Sequence, residues 1–203
     1  VLFHRYICAF GFRERTAVDL PAEEPGYIRK PSSWSGISIG AVSMGQEVGV
    51  TGVQMARAMA AVANGGYLVR PMVVDRILDE NGRLVQRFEP ERIRIVSGRT
   101  AEILRTALVM TVDKGTAKKA GVMGYSIAGK TGTAQKFDFE TRAYSTTDFV
   151  ASFIGFAPAD RPQFVAAVIF DSPRPLYHGG DVSAPVFAEI ARNIFLLKKI
   201  QPS

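Results

Sequence analysis

Apolar residues recur at helical spacing in three segments of the chain. The first covers residues 51–64, with Thr51 as a candidate N-cap and Gly65-Gly66 as the stop signal. The second covers about 100–113, and the third follows Ser183, the expected N-cap of a C-terminal helix with Pro185 in its first turn. Four apolar side chains of this last helix are predicted to share one face: Val186, Ile190, Ile194 and Leu197.

Segments rich in β-branched and aromatic residues lie between these helices. Residues 67–78 and 83–88 flank Asn81-Gly82, which is a strong signal for a β-hairpin. A turn is expected at 158–162 and a polar loop at roughly 136–147. Three further strands are predicted, at 125–135, 149–156 and 164–170. Consecutive antiparallel strands with helices around them indicate an α+β fold.

The charge pattern argues against nucleic-acid binding. The chain has 203 residues and carries 25 Lys and Arg against 19 Asp and Glu, a net charge of +6. The basic residues are scattered, and the densest cluster consists only of Lys114, Lys118 and Lys119. Because no basic stripe is interleaved with aromatic residues, this charge is interpreted as solvated surface, and no nucleic-acid partner is expected.

The composition is that of a folded domain. Hydrophobic residues make up 47% of the chain, and no repeat or linker interrupts it. The single cysteine, Cys8, cannot form an internal disulfide and matches no metal-ligand spacing, so no metal site is predicted. No apolar run approaches the length of about 18 residues that a membrane helix needs.

The chemically informative segment of the sequence is Lys130-Thr131-Gly132-Thr133, set in a predicted strand. Lys130 can stabilise anions and influence proton transfer, and the hydroxyls of Thr131 and Thr133 can donate to a carboxylate. Gly132 lets a ligand lie against the strand and pair with its backbone. A backbone N–H after this glycine can supply half of an oxyanion hole.

Two other interpretations compete for this segment. A three-residue match also occurs in ordinary edge strands. In addition, residues 124–131 fit the phosphate-binding pattern Gly-x-x-x-x-Gly-Lys-Thr. That pattern requires a helix directly after the lysine, because the helix N-terminus binds the phosphate. The residues after Thr131 do not have the periodicity of an amphipathic helix, which argues against a nucleotide site.

The wider sequence resembles the class B penicillin-binding proteins, in the order and spacing of several short segments. The resemblance covers nearly the whole chain. The segments that carry it are Phe10-Gly11-Phe12 with Asp19-Leu20-Pro21, Gly45-Gln46-Glu47 with Val50-Thr51 and Gln54-Met55-Ala56, Gly115-Thr116-Ala117, Gly124-Tyr125, Ala128 to Gln135, Gly155-Phe156-Ala157-Pro158, and Gly179-Gly180 with Ser183 to Phe187.

This resemblance implies a serine D,D-transpeptidase with the penicillin-binding protein/β-lactamase-like transpeptidase fold. Such an enzyme cross-links peptidoglycan stem peptides through an acyl-enzyme and is acylated by β-lactams, in cell wall synthesis and cell division. By position, Lys130 would be the third-motif lysine, and Thr131 and Thr133 would hold the carboxylate of the substrate or β-lactam. The N–H of Thr133 would complete the oxyanion hole. No metal or organic cofactor is expected, since the nucleophile is a protein hydroxyl.

The resemblance also suggests an aromatic wall for this site. Relatives often carry an aromatic pair before a double glycine like Gly179-Gly180, which makes Tyr177 and His178 candidate substrate-binding residues. A solvated loop position accounts for His178 equally well.

Two motifs of the family do not occur in this chain, namely Ser-x-x-Lys and Ser-x-Asn. Thr111 and Thr116 stand three positions before a lysine, but at a helix end and a turn, which argues against a nucleophile. In the family both motifs lie upstream, so residues 1–203 are expected to be the C-terminal part of one transpeptidase domain. The upstream part of the same protein would contribute the remaining strands and the nucleophile helix. Without it, a sheet edge and apolar surface would be exposed.

The resemblance carries further expectations about location and partners. Full-length relatives are anchored in the inner (cytoplasmic) membrane and face the periplasm or cell exterior, and other cell-wall synthesis or divisome proteins are expected partners. Two alternative functions remain open from the sequence: a non-catalytic penicillin- or peptidoglycan-binding module, and a β-lactamase. The 19–21 segment and the long spacing to Lys130 fit the β-lactamase poorly.

Overall fold

The chain folds into five α-helices and nine β-strands within residues 2–138 and 140–202, which are the residues described by this computed structural model. The helices are α1 (Leu2–Ala9), α2 (Ser38–Ser43), α3 (Gly52–Ala63), α4 (Gly98–Asp113) and α5 (Gly179–Lys198). The strands are β1 (Tyr27–Ile28), β2 (Val48–Gly49), β3 (Tyr67–Val69), β4 (Arg76–Leu78), β5 (Leu84–Arg87), β6 (Arg92–Arg94), β7 (Ala128–Asp138), β8 (Ala143–Ala157) and β9 (Phe164–Asp171).

The three longest strands form one antiparallel sheet in the order β7-β8-β9, which confirms the predicted α+β architecture. Helix α5 packs on one face of the sheet, where Phe153 of β8 meets Phe187 with ring centroids 4.7 Å apart. Helix α3 packs on the other face, where Phe156 joins a cluster with Val62. Because Phe153 and Phe156 differ in parity along one strand, they point to opposite faces and anchor two separate cores.

Local signals placed several elements correctly. Helix α3 begins after Thr51, whose hydroxyl accepts from the N–H of Gln54 in a complete capping box. The Asn81-Gly82 hairpin is formed by β4 and β5, which pair antiparallel. Helix α4 begins two residues earlier than expected because the Ser97 hydroxyl caps it by accepting from the N–H of Thr100. The predicted β-rich segment 67–78 is divided, since β3 pairs with β6 instead of joining the hairpin.

The predicted polar loop at 136–147 is mostly a hairpin. Strand β7 continues to Asp138 and β8 begins at Ala143, with Phe137 opposite Tyr144. Their rings meet edge to face with centroids 5.4 Å apart. Cross-strand aromatic pairs of this kind stabilise a ladder that polar composition alone does not reveal. Residue 139, within the predicted loop, lies outside the described residues.

The prediction for the C-terminal helix was wrong in its start and in its buried face. Helix α5 begins at Gly179, so Ser183 is not the N-cap but a buried residue one turn inside the helix. On the predicted apolar face, Val186 is 38% exposed and Leu197 is 83% exposed. Small and aromatic residues are buried instead, because they allow α5 to pack closely on the sheet. The buried residues of α5 are Gly179, Ser183, Ala184, Phe187, Ala188, Ala191 and Phe195.

Buried polar side chains attach the segment between α1 and β1 to α3. The buried amide of Gln54 donates to the carbonyl oxygens of Glu14 and Pro25, each at 2.8 Å, and its own oxygen accepts from the N–H of Thr51. All of the polar atoms of this side chain are therefore paired with backbone. Such a residue is stabilising only while every one of these hydrogen bonds is made.

The same segment contains a carboxylate held by backbone donors. Glu23 accepts from the N–H and the hydroxyl of Thr16, at 2.6 and 2.5 Å, and from the N–H of Ala17 at 3.0 Å. Burial of the Glu23 carboxyl opposes its ionisation, but the hydrogen bonds from Thr16 and Ala17 outweigh burial and lower its pKa.

The two outer strands of the sheet each have a single strand neighbour within residues 2–138 and 140–202, because β8 lies between β7 and β9. Open backbone donors and acceptors along such edges can pair with a further strand. This arrangement is compatible with the expectation that additional strands come from the upstream part of the protein, which stays a prediction. The open edge of β7 is also the edge that carries the Lys130 motif.

Candidate active site

Strand β7 positions the four residues of the Lys-Thr-Gly motif. Alternation along the strand places Thr131 and Thr133 on one side and Lys130 and Gly132 on the other. Gly132 lies over Ser152 of β8, and a β-carbon on it would be 2.5 Å from the Ser152 hydroxyl oxygen. A larger residue at this position would therefore require the Ser152 side chain to rotate away.

Both threonines open into a cavity of about 420 Å³. Strand β7, the turn after α4 and the N-terminus of α5 enclose it. It is lined by Gly115, Thr116, Lys118, Lys119, Thr131, Thr133, His178, Gly180 and Asp181.

Thr133 attaches the N-terminus of α5 to strand β7 beside this cavity. The hydroxyl oxygen of Thr133 accepts from the N–H of Gly179 at 3.1 Å. His178 is the N-cap of α5 but makes no capping hydrogen bond with its side chain. Thr133 therefore satisfies one of the first-turn amides of α5 that have no partner within the helix. Because an amide can only donate, the proton of the Thr133 hydroxyl remains available for another acceptor.

The glycine pair at the start of α5 makes this contact possible. A β-carbon on Gly179 would collide with the carbonyl oxygens of Ser152 and Gly132. A β-carbon on Gly180 would lie 2.5 Å from the carbonyl oxygen of Thr116. Each glycine faces backbone atoms that cannot move aside, so both are required for the close approach of α5 to the strand and turn.

Thr131, the other threonine of the motif, is hydrogen-bonded to Thr116, which lies outside the motif. The hydroxyl oxygens of Thr131 and Thr116 lie 2.8 Å apart. The ammonium group of Lys130 lies 2.8 Å from the carbonyl oxygen of Thr131 and 3.4 Å from its hydroxyl oxygen. Lys130 is exposed and forms no ion pair with the residues that the structure describes. Its charge is therefore available to a ligand on the edge of β7.

The charges around the cavity favour an anion. Lys119 pairs with Asp181 at 2.8 Å, and this hydrogen bond and the lysine charge lower the pKa of the Asp181 carboxyl. Lys118 also lines the cavity, so two lysines oppose one aspartate and leave one positive charge when His178 is neutral. Asp181 also lies in the first turn of α5, where the helix dipole stabilises a negatively charged carboxylate.

The two candidate aromatic residues occupy different surroundings. His178 lines the cavity beside Thr131 and Thr133. Tyr177 stacks on Phe149 with ring centroids 4.3 Å apart and lies 4.4 Å from the His178 ring. The rings of Phe149, Tyr177 and His178 form a continuous aromatic surface next to the N-terminus of α5. Tyr177 is 38% exposed, which leaves part of its ring open to contact.

Sequence reasoning missed several groups that line the cavity with the motif threonines. Thr116 stood in a segment of family resemblance and was otherwise considered only as a rejected nucleophile candidate. Lys119 was noted only as part of a lysine cluster, and Asp181 was not singled out. The amide of Gly179 could not be assigned, because the start of α5 was placed five residues too late. The only available signals were the segment 115–117 and the double glycine.

The structure argues against the phosphate-binding interpretation of the motif. No helix follows Lys130 and Thr131, since β7 continues as a strand to Asp138, so the phosphate-binding pattern lacks its helix. Within the described ranges, no group of three or more metal-ligating side chains could hold a metal ion. No helix in the same ranges is long and apolar enough to cross a membrane.

The fold and the Lys-Thr-Gly strand together define an α+β domain of the penicillin-recognising class. Residues 2–192 match the penicillin-binding protein transpeptidase domain, so the chain belongs to that family. This confirms the resemblance on which the sequence-based assignment rests.

Characterised relatives agree with this membership. The chain is 36% identical to the penicillin-binding protein PbpB of Mycolicibacterium smegmatis, over 93% of this chain and 31% of that protein. It is 36% identical to the probable peptidoglycan D,D-transpeptidase PbpC of Pseudomonas aeruginosa, over 89% of this chain and 30% of that protein. It therefore spans about a third of the length of these relatives.

Solved structures confirm the fold. Penicillin-binding protein 3 of Mycobacterium tuberculosis, in complex with ampicillin, superimposes with a TM-score of 0.92 at 32% identity, over 99% of this chain and 46% of that one. The transpeptidase domain of penicillin-binding protein 3 from Burkholderia pseudomallei superimposes with a TM-score of 0.84 at 31% identity, over 98% of this chain and 58% of that one. The chain therefore corresponds to about half of each of these solved chains.

Proposed function

We propose that the complete protein is a serine D,D-transpeptidase that cross-links peptidoglycan stem peptides and is acylated by β-lactams. Family membership supports this class of reaction. The upstream part of the same protein would supply the serine nucleophile. Residues 1–203 would then be the C-terminal part of a single domain and contribute one wall of the active site.

The observation that carries the proposal is the convergence of Thr131, Thr133 and His178 on one cavity beside Lys130. Stem peptides and penicillins share a carboxylate near the reacting carbonyl. Two hydroxyl donors with a nearby positive charge match a carboxylate in number and in sign. Tyr177 and His178 would form the wall against which the rest of the ligand packs.

The open edge of β7 gives the peptide a place to bind. An extended stem peptide can pair with the free backbone groups beside Gly132, as an added strand. The N–H of Thr133 would donate to the carbonyl oxygen as it becomes an oxyanion. The charge of Lys130 would stabilise the same developing negative charge and favour proton transfer to the leaving group.

The proposed reaction proceeds in two balanced steps. The serine oxygen attacks the penultimate D-alanine carbonyl, the peptide C–N bond breaks, and the serine proton passes to the departing D-alanine amine. An amine of a second stem peptide then attacks the ester, and the serine leaves with a proton from that amine. With a β-lactam, the C–N bond that breaks lies within the ring, so the leaving group stays attached and the enzyme stays acylated.

The proposal includes a setting in the cell. We infer an anchor in the cytoplasmic membrane with the domain facing the periplasm or cell exterior, where peptidoglycan is assembled. Other cell-wall synthesis or divisome proteins would be its partners. Both inferences rest on family membership.

Labelling of the complete protein with a fluorescent penicillin tests the proposal. We expect one covalent adduct per chain by intact-mass analysis, and release of D-alanine from a stem peptide when an acceptor amine is present. A protein that binds penicillin reversibly without an adduct would instead be a non-catalytic binding module. Rapid turnover of the penicillin would identify a β-lactamase.

A further inference from the structure

Thr131 and Thr133 differ in how their hydroxyl protons are directed. Thr133 accepts from the Gly179 amide, which can only donate, so the Thr133 proton is always free for a ligand. Thr131 faces another hydroxyl, that of Thr116, at 2.8 Å. A pair of hydroxyls can hydrogen-bond in either direction. The availability of the Thr131 proton therefore depends on Thr116.

The other neighbour of Thr131 constrains this choice. The Lys130 ammonium lies 3.4 Å from the Thr131 hydroxyl oxygen. An ammonium group has no lone pair, so it can donate hydrogen bonds but cannot accept them. The charged ammonium of Lys130 and the amide of Gly179 can only donate hydrogen bonds. Neither group can therefore accept a hydrogen bond from a threonine hydroxyl. Of the groups that contact the two motif hydroxyls in the described structure, Thr116 alone can act either as donor or as acceptor.

We propose that Thr116 is a positioning residue that donates to Thr131, so that the Thr131 hydroxyl donates to the carboxylate of the ligand. The bound anion favours this direction, because a hydroxyl that gives its proton to a carboxylate becomes a better acceptor itself. The chain of donors runs from the Thr116 hydroxyl to Thr131 and then to a carboxylate oxygen. This inference rests on the proposed function of the motif as a carboxylate site.

The location of Thr116 suits this role. It follows α4 in the turn that lines the cavity, and its carbonyl oxygen packs against Gly180 of α5. The residue is exposed, so removal of its hydroxyl leaves no buried polar group unpaired. A Thr116→Val variant retains the shape of the side chain and the fold while it removes the donor.

The test uses a matched pair of ligands that differ only in the carboxylate. Acetyl-D-alanyl-D-alanine and its C-terminal amide are titrated into the complete protein, and the ratio of their dissociation constants is measured. We expect the acid to bind more tightly than the amide. In Thr116→Val this preference should fall about two- to tenfold, the range for one hydrogen bond. Thr116→Ser should restore it, and Thr106→Val, on the exposed surface of α4, should leave it unchanged.

The outcomes separate this inference from the proposed enzyme activity. An acid preference in Thr116→Val that equals or exceeds that of the unmodified protein would overturn the inference. Equal binding of acid and amide by the unmodified protein would overturn it as well. A protein that prefers the acid but is not acylated by penicillin would contradict the transpeptidase activity and leave the role of Thr116 intact.

Discussion

Gly179 lies directly against the carbonyl oxygen of Ser152, so that a β-carbon on Gly179 would collide with it. The contact joins the first residue of α5 to the central strand of the sheet. It also sets the position of the Gly179 amide, which donates to the Thr133 hydroxyl at 3.1 Å. The geometry of the proposed carboxylate site therefore depends on the packing of one helix terminus.

Gly179→Ala should destabilise the complete protein by about 1–3 kcal/mol, the usual cost of overpacking. The start of α5 would have to move away from β7, which would weaken the hydrogen bond to Thr133. Because this hydrogen bond positions Thr133, we expect the rate constant of acylation by penicillin to fall at least about tenfold. Chemical denaturation and penicillin labelling measure the two effects.

The matched control for this variant is Gly40→Ala in α2, where no heavy atom lies within 4 Å of the added β-carbon. Alanine in a helix interior should be neutral or stabilise by about 0.5–1 kcal/mol. If Gly179→Ala behaves like this control, the close packing of α5 does not determine the site.

Lys130→Ala should reduce the rate constant of acylation by penicillin about a hundredfold or more, as expected for loss of a charged donor near a developing oxyanion. Lys130 is exposed and has no ion pair in the described structure, so the thermal midpoint should not change. Stopped-flow labelling with a fluorescent penicillin measures the rate.

Lys136→Ala provides the comparison on the same strand, since Lys136 pairs with Asp171 at 2.7 Å on the surface. Removal of an exposed ion pair should cost less than about 1 kcal/mol and leave acylation unchanged. Equal rates for Lys130→Ala and Lys136→Ala would contradict a catalytic role for Lys130.

Two buried serines should respond in opposite ways to alanine. The Ser183 hydroxyl is buried without a hydrogen-bond partner among the described residues. Ser38 is equally buried, but its hydroxyl bonds with Ser35, Arg29 and Glu47. We expect Ser183→Ala to be neutral or stabilising and Ser38→Ala to cost about 1–3 kcal/mol, measured by chemical denaturation. A loss in Ser183→Ala as large as in Ser38→Ala would indicate a partner for Ser183.

The carboxylate of Glu23 should give the protein part of its acid sensitivity. Its pKa is lowered in the folded state, so its contribution to stability is complete above the ordinary glutamate pKa of about 4.3. That contribution is lost as the pH falls through the lower folded-state pKa. Glu23→Gln should therefore lower the thermal midpoint at pH 7, and the difference from the unmodified protein should shrink below about pH 4.

Glu24→Gln is the adjacent control, because Glu24 is exposed and its carboxylate accepts no hydrogen bond in the described residues. Its thermal midpoint should follow that of the unmodified protein at every pH. A Glu23→Gln difference that stays constant from pH 7 to about pH 3 would show that the hydrogen bonds to Thr16 and Ala17 do not depend on ionisation.

Elements with local start and stop signals were predictable from the sequence. Helix α3 has its capping residue at Thr51 and its stop at Gly65-Gly66, within the element or next to it. The β4–β5 hairpin follows from Asn81-Gly82 in the same way. Signals of this kind act over a few residues, so no tertiary contact is needed to recognise them.

Elements whose limits depend on distant partners were not predictable. Helix α5 begins at Gly179 because Thr133, which is 46 positions earlier in the chain, accepts its first amide. Its buried face contains alanines that fit against the sheet, while the more hydrophobic Val186 and Leu197 stay exposed. Hydrophobicity ranks isoleucine and leucine above alanine, so a helical pattern alone selected the wrong face.

The sequence by itself determined the α+β class, the family resemblance and the strand that carries Lys130, Thr131 and Thr133, because alternation and short motifs are local properties. Only the tertiary structure decided which groups meet those threonines, namely Thr116 and the amide of Gly179. Hydrogen bonds between residues far apart in the chain depend on the packing of α5 and the turn after α4 against the sheet. That packing is set by close contacts at glycines and buried side chains, whose partners no local pattern specifies.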